Sequence, residues 1–355
     1  MGERNIKIEI PDNADRSNLR RIEFNGAASA YFGIWISNSV LSIITLGIYS
    51  AWAKVRRKQF FLNHTIIDEF PFAYHATGWQ LLIGRIIVFV VILAYSTVSA
   101  FVPLVSIAVL PIFVLCLAWV LNRSLRFNAK MTSWRNVRFN WHGTYWKTLF
   151  FFLVGPALGI ASAGILIPLF SRYYYQYYAD NFSFGTERFS ASTKIGSFYA
   201  AFGLTLLITG GLVALAVFAT VMMSVTTLHS GSIDNLVVLL ISLGVAAYLI
   251  LVYFIYAVMC RNMLVRTLKL GDAVSFGSSL SPARLCWITV SNFFAIILSL
   301  GLLYPWTVVR LYRYLAQNTW YDIHTDVDHF IDKEQEKMGA FGEEFADLEG
   351  FDVSI

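Results

Sequence analysis

The sequence predicts an all-α polytopic membrane protein with short β-hairpins on its cytoplasmic surface, and three observations predict it. Of 355 residues, 57% are hydrophobic and 14% charged, and the mean hydropathy is +0.60; soluble domains are ~45–50% apolar and ~25% charged. Seven apolar segments, at residues 30–53, 80–99, 101–121, 146–170, 199–224, 236–259 and 285–308, approach the ~20 helical residues that cross a ~30 Å hydrocarbon core. The basic residues between those segments are placed so unevenly that they constrain which segments cross.

In chain order, residues 1–20 form a polar tail without the apolar core of a signal peptide, so internal segments direct insertion. Residues 21–79 are a first unit of surface strand, broken apolar helix and basic exit, and 80–122 a transmembrane hairpin. Residues 123–198 are a second unit, 199–260 a second hairpin, 261–329 a third unit and 330–355 an acidic tail. The polar stretches Thr65–Tyr74, Thr132–Trp141 and Phe182–Phe189 alternate like half-buried strands.

Cytoplasmic loops are enriched in Lys and Arg. If all seven segments cross, the bases other than Arg85 divide 14 to 12; if segments one, four and seven enter and leave on the same side, they divide 26 to none. The expected architecture is therefore four spanning helices in two hairpins plus three re-entrant or interfacial helices, with both termini cytoplasmic. Seven transmembrane helices is the alternative. The expected breaks in the three re-entrant segments lie at Asn38, at Gly155-Pro156 and at Asn292.

Those three segments form a threefold internal repeat. Gly47 precedes Trp52 by five residues and Arg56 by nine; Gly301 precedes Trp306 and Arg310 by the same offsets. The middle copy is more diverged, with Pro168 four residues after Gly164 as Pro305 follows Gly301.

The stretches Phe24-Asn25-Gly26, Ile44-Thr45-Leu46-Gly47-Ile48-Tyr49 followed by Trp52, Arg56-Arg57, Ala76-Thr77-Gly78 leading to Gly84-Arg85, Thr132 to Phe139, Asn318-Thr319 and the acidic end from Gly342 resemble those of the YjgN family of bacterial inner-membrane proteins, which carry a domain of unknown function. The chain departs from that pattern at Asn63-His64-Thr65, and at Asp68-Glu69, where the family tends to have a turn glycine. The resemblance implies a bacterial inner-membrane location and leaves the activity open.

Arg85 is the one strongly charged residue well inside an apolar segment, Lys147 standing at the edge of the fourth, which makes it a candidate for a polar pathway or, by snorkelling, for lipid phosphate. Arg56, Arg57, Arg310 and Arg313 follow a tryptophan by about a turn or two, the pattern of an indole at the interface with arginine on phosphate. Asn38 and Asn292, at matching places in apolar helices, must find partners, and solute binding at such breaks is one use.

The net charge of +5 conceals a division: residues 320–355 hold 11 acids and two lysines, leaving about +14 on the membrane body. An acidic tail can dock on such a body as a gate or brake. Asp322, His324, Asp326 and Asp328 alternate, but at no spacing diagnostic of a metal. The three cysteines, without CxxC spacing, read as small apolar residues, and no phosphate-binding, hydrolase or zinc signature occurs. No cofactor, catalysis or nucleic-acid partner is expected; anionic membrane lipids are. Two functions remain, a transport- or channel-related one through the three broken helices and a non-transporting lipid-interacting scaffold in the cytoplasmic leaflet.

Overall fold

A computed structural model describes residues 19–101, 103–207, 209–210, 235–324 and 328–336. Strands β1 (Leu19–Arg21) and β2 (Glu23–Phe24) lead into helices α1 (Ala28–Ile44) and α2 (Ser50–Asn63), then strands β3 (Thr65–Ile67) and β4 (Phe70–Tyr74). The pattern of helical hairpin then β-hairpin recurs. Helices α3 (Gly78–Phe101) and α4 (Pro103–Lys130) precede β5 (Thr132–Trp134) and β6 (Val137–Trp141). Helices α5 (Tyr145–Ala161) and α6 (Ile167–Asp180) precede β7 (Phe182–Phe184) and β8 (Glu187–Ala191). Helices α7 (Ile195–Leu207) and α8 (Asn235–Thr267) precede β9 (Leu268–Leu270) and β10 (Val274–Ser278). Helices α9 (Pro282–Leu298) and α10 (Tyr304–Gln317), strand β11 (Thr319–Ile323) and a short helix α11 (328–336) complete the chain.

The strands form one antiparallel sheet in the order β1-β11-β10-β9-β8-β7-β6-β5-β4-β3-β2. Its two ends, β1 and β2, are separated only by Ile22, whose N–H donates to the Thr319 carbonyl at 3.1 Å. The sheet therefore curls into a nearly closed barrel, which leaves few unpaired edge groups. This overturns the all-α expectation. The short surface hairpins are not separate: Phe72 pairs with Trp134, Phe139 with Phe184, Phe189 with Leu270 and Phe276 with Tyr321. Each of these four pairings spans a whole helical hairpin, so local alternation displays the hairpins and hides the barrel.

One end of the barrel consists of tight turns. Asp68-Glu69 and Arg135-Asn136 have positive φ at both central residues, as two-residue type I′ turns require. The other end carries the helical hairpins, and four of the five are closed at the base by the same backbone bond: Asn25 to His64, His75 to Met131, His142 to Asn181 and Ser279 to Asn318, at 2.8–3.0 Å. Caps start the helices there; Thr77 and Gln80 exchange side-chain and backbone bonds as a capping box, and Ser281 accepts from the Arg284 N–H ahead of Pro282.

Every helical hairpin leaves and re-enters the same end of the barrel, and this overturns the seven-span alternative, because α1–α2, α5–α6 and α9–α10 each fold back on themselves. The count of four spanning helices is not met among the described residues. Among the described residues two helical stretches are long and apolar enough to cross a bilayer, Gly78–Thr97 and Pro111–Lys130. Much of the expected hairpin 199–260 lies outside the described residues. Nor is the hairpin arrangement purely threefold, since three short hairpins alternate with two others in a ring of five. Successive hairpins touch through α2 and α3, α4 and α5, α6 and α8, α8 and α9, and α10 and α1. Apolar clusters fill the seams, such as Phe24, Tyr31, Phe60, Phe61 and Val309 between the first hairpin and the last.

Candidate functional site

The three short hairpins turn through one backbone conformation. Leu46-Gly47, Ala163-Gly164 and Leu300-Gly301 have φ of 50–52° followed by 90–91°, a left-handed pair that favours glycine at the second position. The glycine N–H reaches back five residues, to Ser42, Gly159 and Ile296. The hydroxyls of Thr45, Ser162 and Ser299 then accept from the N–H groups of Tyr49, Leu166 and Leu303 at 2.9–3.1 Å. With the backbone so satisfied, the turns present bare apolar side chains: Leu46 and Leu300 are each 94% exposed, and Ile43, Ile160 and Leu298 at least 75%. An exposed apolar patch at each of three hairpin ends is a surface made for an apolar environment.

Polar groups follow behind. Arg56 and Arg310 lie nine residues past their glycines, the last seven of them helical, or ~10 Å of helix along the axis, about a third of a ~30 Å hydrocarbon core. Arg56 and Arg57 are exposed, with the Arg56 guanidinium 5.9 Å from the Tyr49 ring centre. Arg313, also exposed, donates to the Gly26 carbonyl at 3.2 Å. Arg310 instead folds inward and donates to Ser291 Oγ at 2.8 Å and Asn292 Oδ1 at 3.0 Å, beside the Trp306 ring. Arg85 is half-buried and donates to the Ser50 hydroxyl, tying α3 to the start of α2. Exposed tryptophans near helix starts, Trp79, Trp146 and Trp287, add the aromatic girdle expected at a membrane interface. Sequence reasoning missed them as a set; their recurrence soon after each strand end was the available signal.

Asn38 and Asn292 are both buried, but inside continuous helices α1 and α9; the chain turns only after Ile44 and Leu298. Asn292 Nδ2 donates to the Thr307 carbonyl at 3.2 Å, whereas Asn38 Oδ1 has no hydrogen-bond partner. Gly155 and Pro156 follow a π-helical stretch, Phe150–Val154, within α5. Proline has no N–H for the Phe152 carbonyl, so the helix widens there and continues, and Gly155 admits the Phe170 ring. Lys58 donates to Asn128 Oδ1 at 2.5 Å and lies over the Tyr74 ring; burial, with Lys54 nearby, lowers its pKa to about 8.

Inside the barrel, Phe72, Phe139, Phe189 and Phe276 form a row with neighbouring ring centres 6.1–6.4 Å apart. These four rings, with other apolar side chains and Tyr321, wall a cavity of about 260 Å³. Helix α11 closes the turn end, with Phe330 on the cavity and Ile331 in the barrel core. Glu334, 1% exposed, accepts from the Thr186 N–H at 2.6 Å and from its hydroxyl. Only glycine suits position 185, where φ is +60° and a Cβ would meet Glu334 Oε2 at 2.5 Å. Arg135 holds the other side, donating to Asp328 at 2.5 Å and accepting at its carbonyl from Gln335 at 2.9 Å. Asp322 is buried and His324 exposed, and Thr325 to Val327, with the expected Asp326, lie outside the described residues. No cluster of metal-ligating side chains occurs among the described residues.

No solved structure matches the chain. Its relatives include the inner membrane protein YjgN of Salmonella typhimurium strain LT2, 23% identical over 86% of this chain and 88% of that protein. They also include the inner membrane protein YjgN of Escherichia coli strain K12, 32% identical over 39% of this chain and 36% of that protein. The model of the family described as bacterial protein of unknown function (DUF898) matches residues 20–348, and the chain belongs to that family.

Proposed function

We propose that this bacterial inner-membrane protein is a lipid-interacting scaffold. In this reading the three short hairpins insert their apolar turns into the cytoplasmic leaflet and the barrel stands on the cytoplasmic side. One observation carries the reading, the exposure of Leu46, Leu300 and their neighbours at the ends of hairpins whose basic residues begin seven to nine residues behind the turn glycine. Arg56, Arg57 and Arg313 then meet anionic headgroups, each such contact contributing ~1 kcal/mol near the surface. The division of bases, 26 to none, favours the cytoplasmic orientation. The reading assigns no catalysis and no conduction along the barrel axis, which the phenylalanine row and α11 occupy.

Single cysteines at Leu46, Ala163 and Leu300, carrying an environment-sensitive fluorophore in vesicles with brominated lipids, test it. The labels are expected to be quenched at a depth within one leaflet and to be reached by water-soluble reagents from neither outer nor inner solution. Access from the outer solution would overturn the scaffold in favour of a conduit.

A further inference from the structure

We propose that the barrel interior is a binding site for a free medium-chain carboxylic acid. Its chain lies among Phe139, Phe189, Leu270, Val274 and Phe276, its carboxylate lies on Arg135, and helix α11 is the lid. The walls of the cavity of about 260 Å³ expose no polar surface; the Tyr321 hydroxyl accepts from the Asp68 N–H at 2.8 Å and the Trp134 indole N–H donates to the Phe70 carbonyl at 3.1 Å. Apolar cavities of ~150 Å³ stay dry and take benzene; scaled by volume, this one takes about ten carbons.

Arg135 supplies the polar end. It stands in the turn next to Trp134, a wall residue, with its guanidinium 4.4 Å from the Phe70 ring centre. Nη2 donates to Asp328, while Nη1 is buried without any partner. A buried guanidinium N–H left unmade is costly, and a carboxylate can satisfy two parallel guanidinium N–H groups at once. The lid carboxylate, Asp328, is 74% exposed and bonds one of them. An entering acid therefore completes Arg135 and competes with Asp328, loosening the lid on the Arg135 side while Glu334 keeps the Thr186 side closed. The site touches none of the hairpin turns, so it stands apart from the scaffold reading.

The test uses the full chain in lipid nanodiscs and decanoate bearing a terminal diazirine, with crosslinked peptides mapped by mass spectrometry. Expected are saturable crosslinks on the peptides of β8 to β10, displaced by unlabelled decanoate and at least tenfold less well by methyl decanoate, which keeps the chain and lacks the charge. Arg135→Gln is expected to weaken displacement by decanoate tenfold or more and to leave that by methyl decanoate unchanged. Leu270→Trp, which fills the cavity, is expected to abolish the barrel crosslinks; if that variant does not fold, Arg135→Gln decides alone. Crosslinks confined to the hairpins, barrel labelling that does not saturate, or equal displacement by acid and ester would overturn the proposal, the first leaving the scaffold reading intact.

Discussion

The first hairpin and the last share a backbone and differ in how they close their polar interiors. In α9–α10, Arg310 turns inward and bonds Ser291 and Asn292, and Asn292 in turn donates to Thr307. In α1–α2, the matching Arg56 lies exposed beside Tyr49, and Asn38 keeps an unpartnered oxygen. Eleven residues past the turn glycine, the first hairpin has Lys58 and the last Tyr312. The left-handed turn is therefore independent of the polar network behind it. One hairpin has its network closed within itself, and the other directs its arginine outward and takes help from Arg85 of the next hairpin.

The largest test of this difference is a matched pair of asparagine substitutions. Asn292→Leu removes a partner from Arg310 and from the Thr307 carbonyl, and is expected to cost about 2–3 kcal/mol. Asn38→Leu removes an unsatisfied oxygen and is expected to lie within about 0.5 kcal/mol of wild type or to stabilise. Thermal unfolding in one detergent compares them; equal losses would show that the two interiors are closed alike.

Next come the turns, where the hairpins are expected to agree. Gly47→Ala and Gly301→Ala both place a Cβ at φ +90°, in open space, so backbone strain alone acts. Each is expected to lose about 1–2 kcal/mol in the same unfolding assay, and a twofold disparity would separate the turns.

The smallest effect is electrostatic. Burial lowers the Lys58 pKa to about 8 from an unfolded value of 10.5. Below about pH 8 both states are protonated and the buried charge weakens the fold. Between about pH 8 and 10.5 the unfolded state binds more protons, so this residue makes stability rise with pH through that window. The gain is about 1 kcal/mol once solvent screening is allowed for. Lys58→Met is expected to remove the rise, whereas Tyr312→Phe in the last hairpin leaves it; a rise that survives Lys58→Met would place its source elsewhere.

Some of this was legible in the residues. The spacing of Gly47 and Gly301 to a tryptophan and an arginine marked equivalent positions of a repeat, and the structure makes these two glycines, with Gly164, the left-handed residues of turns. The turn expected at Asp68-Glu69 is present without glycine, with Tyr321 and Arg20 bonded to Asp68. The asparagines misled as helix breaks, because an amide in an apolar helix signals a need for a partner and not an end of the helix. Arg310 was read as a phosphate contact, yet its partners are two side chains on the neighbouring helix, which no spacing within α10 could disclose.

By itself the sequence determined the membrane character, the equivalence of the Gly47 and Gly301 stretches and the division between basic body and acidic tail, since these depend on composition and on offsets within about ten residues. Only the tertiary structure decided that eleven short strands close into one barrel, that Glu334 and Asp328 bring part of the tail back as its lid, and that four phenylalanines wall an apolar cavity. The physical reason is that strand pairing and cavity walls join residues separated by whole helical hairpins. Strands of two to five residues carry no signal strong enough to name partners at that distance.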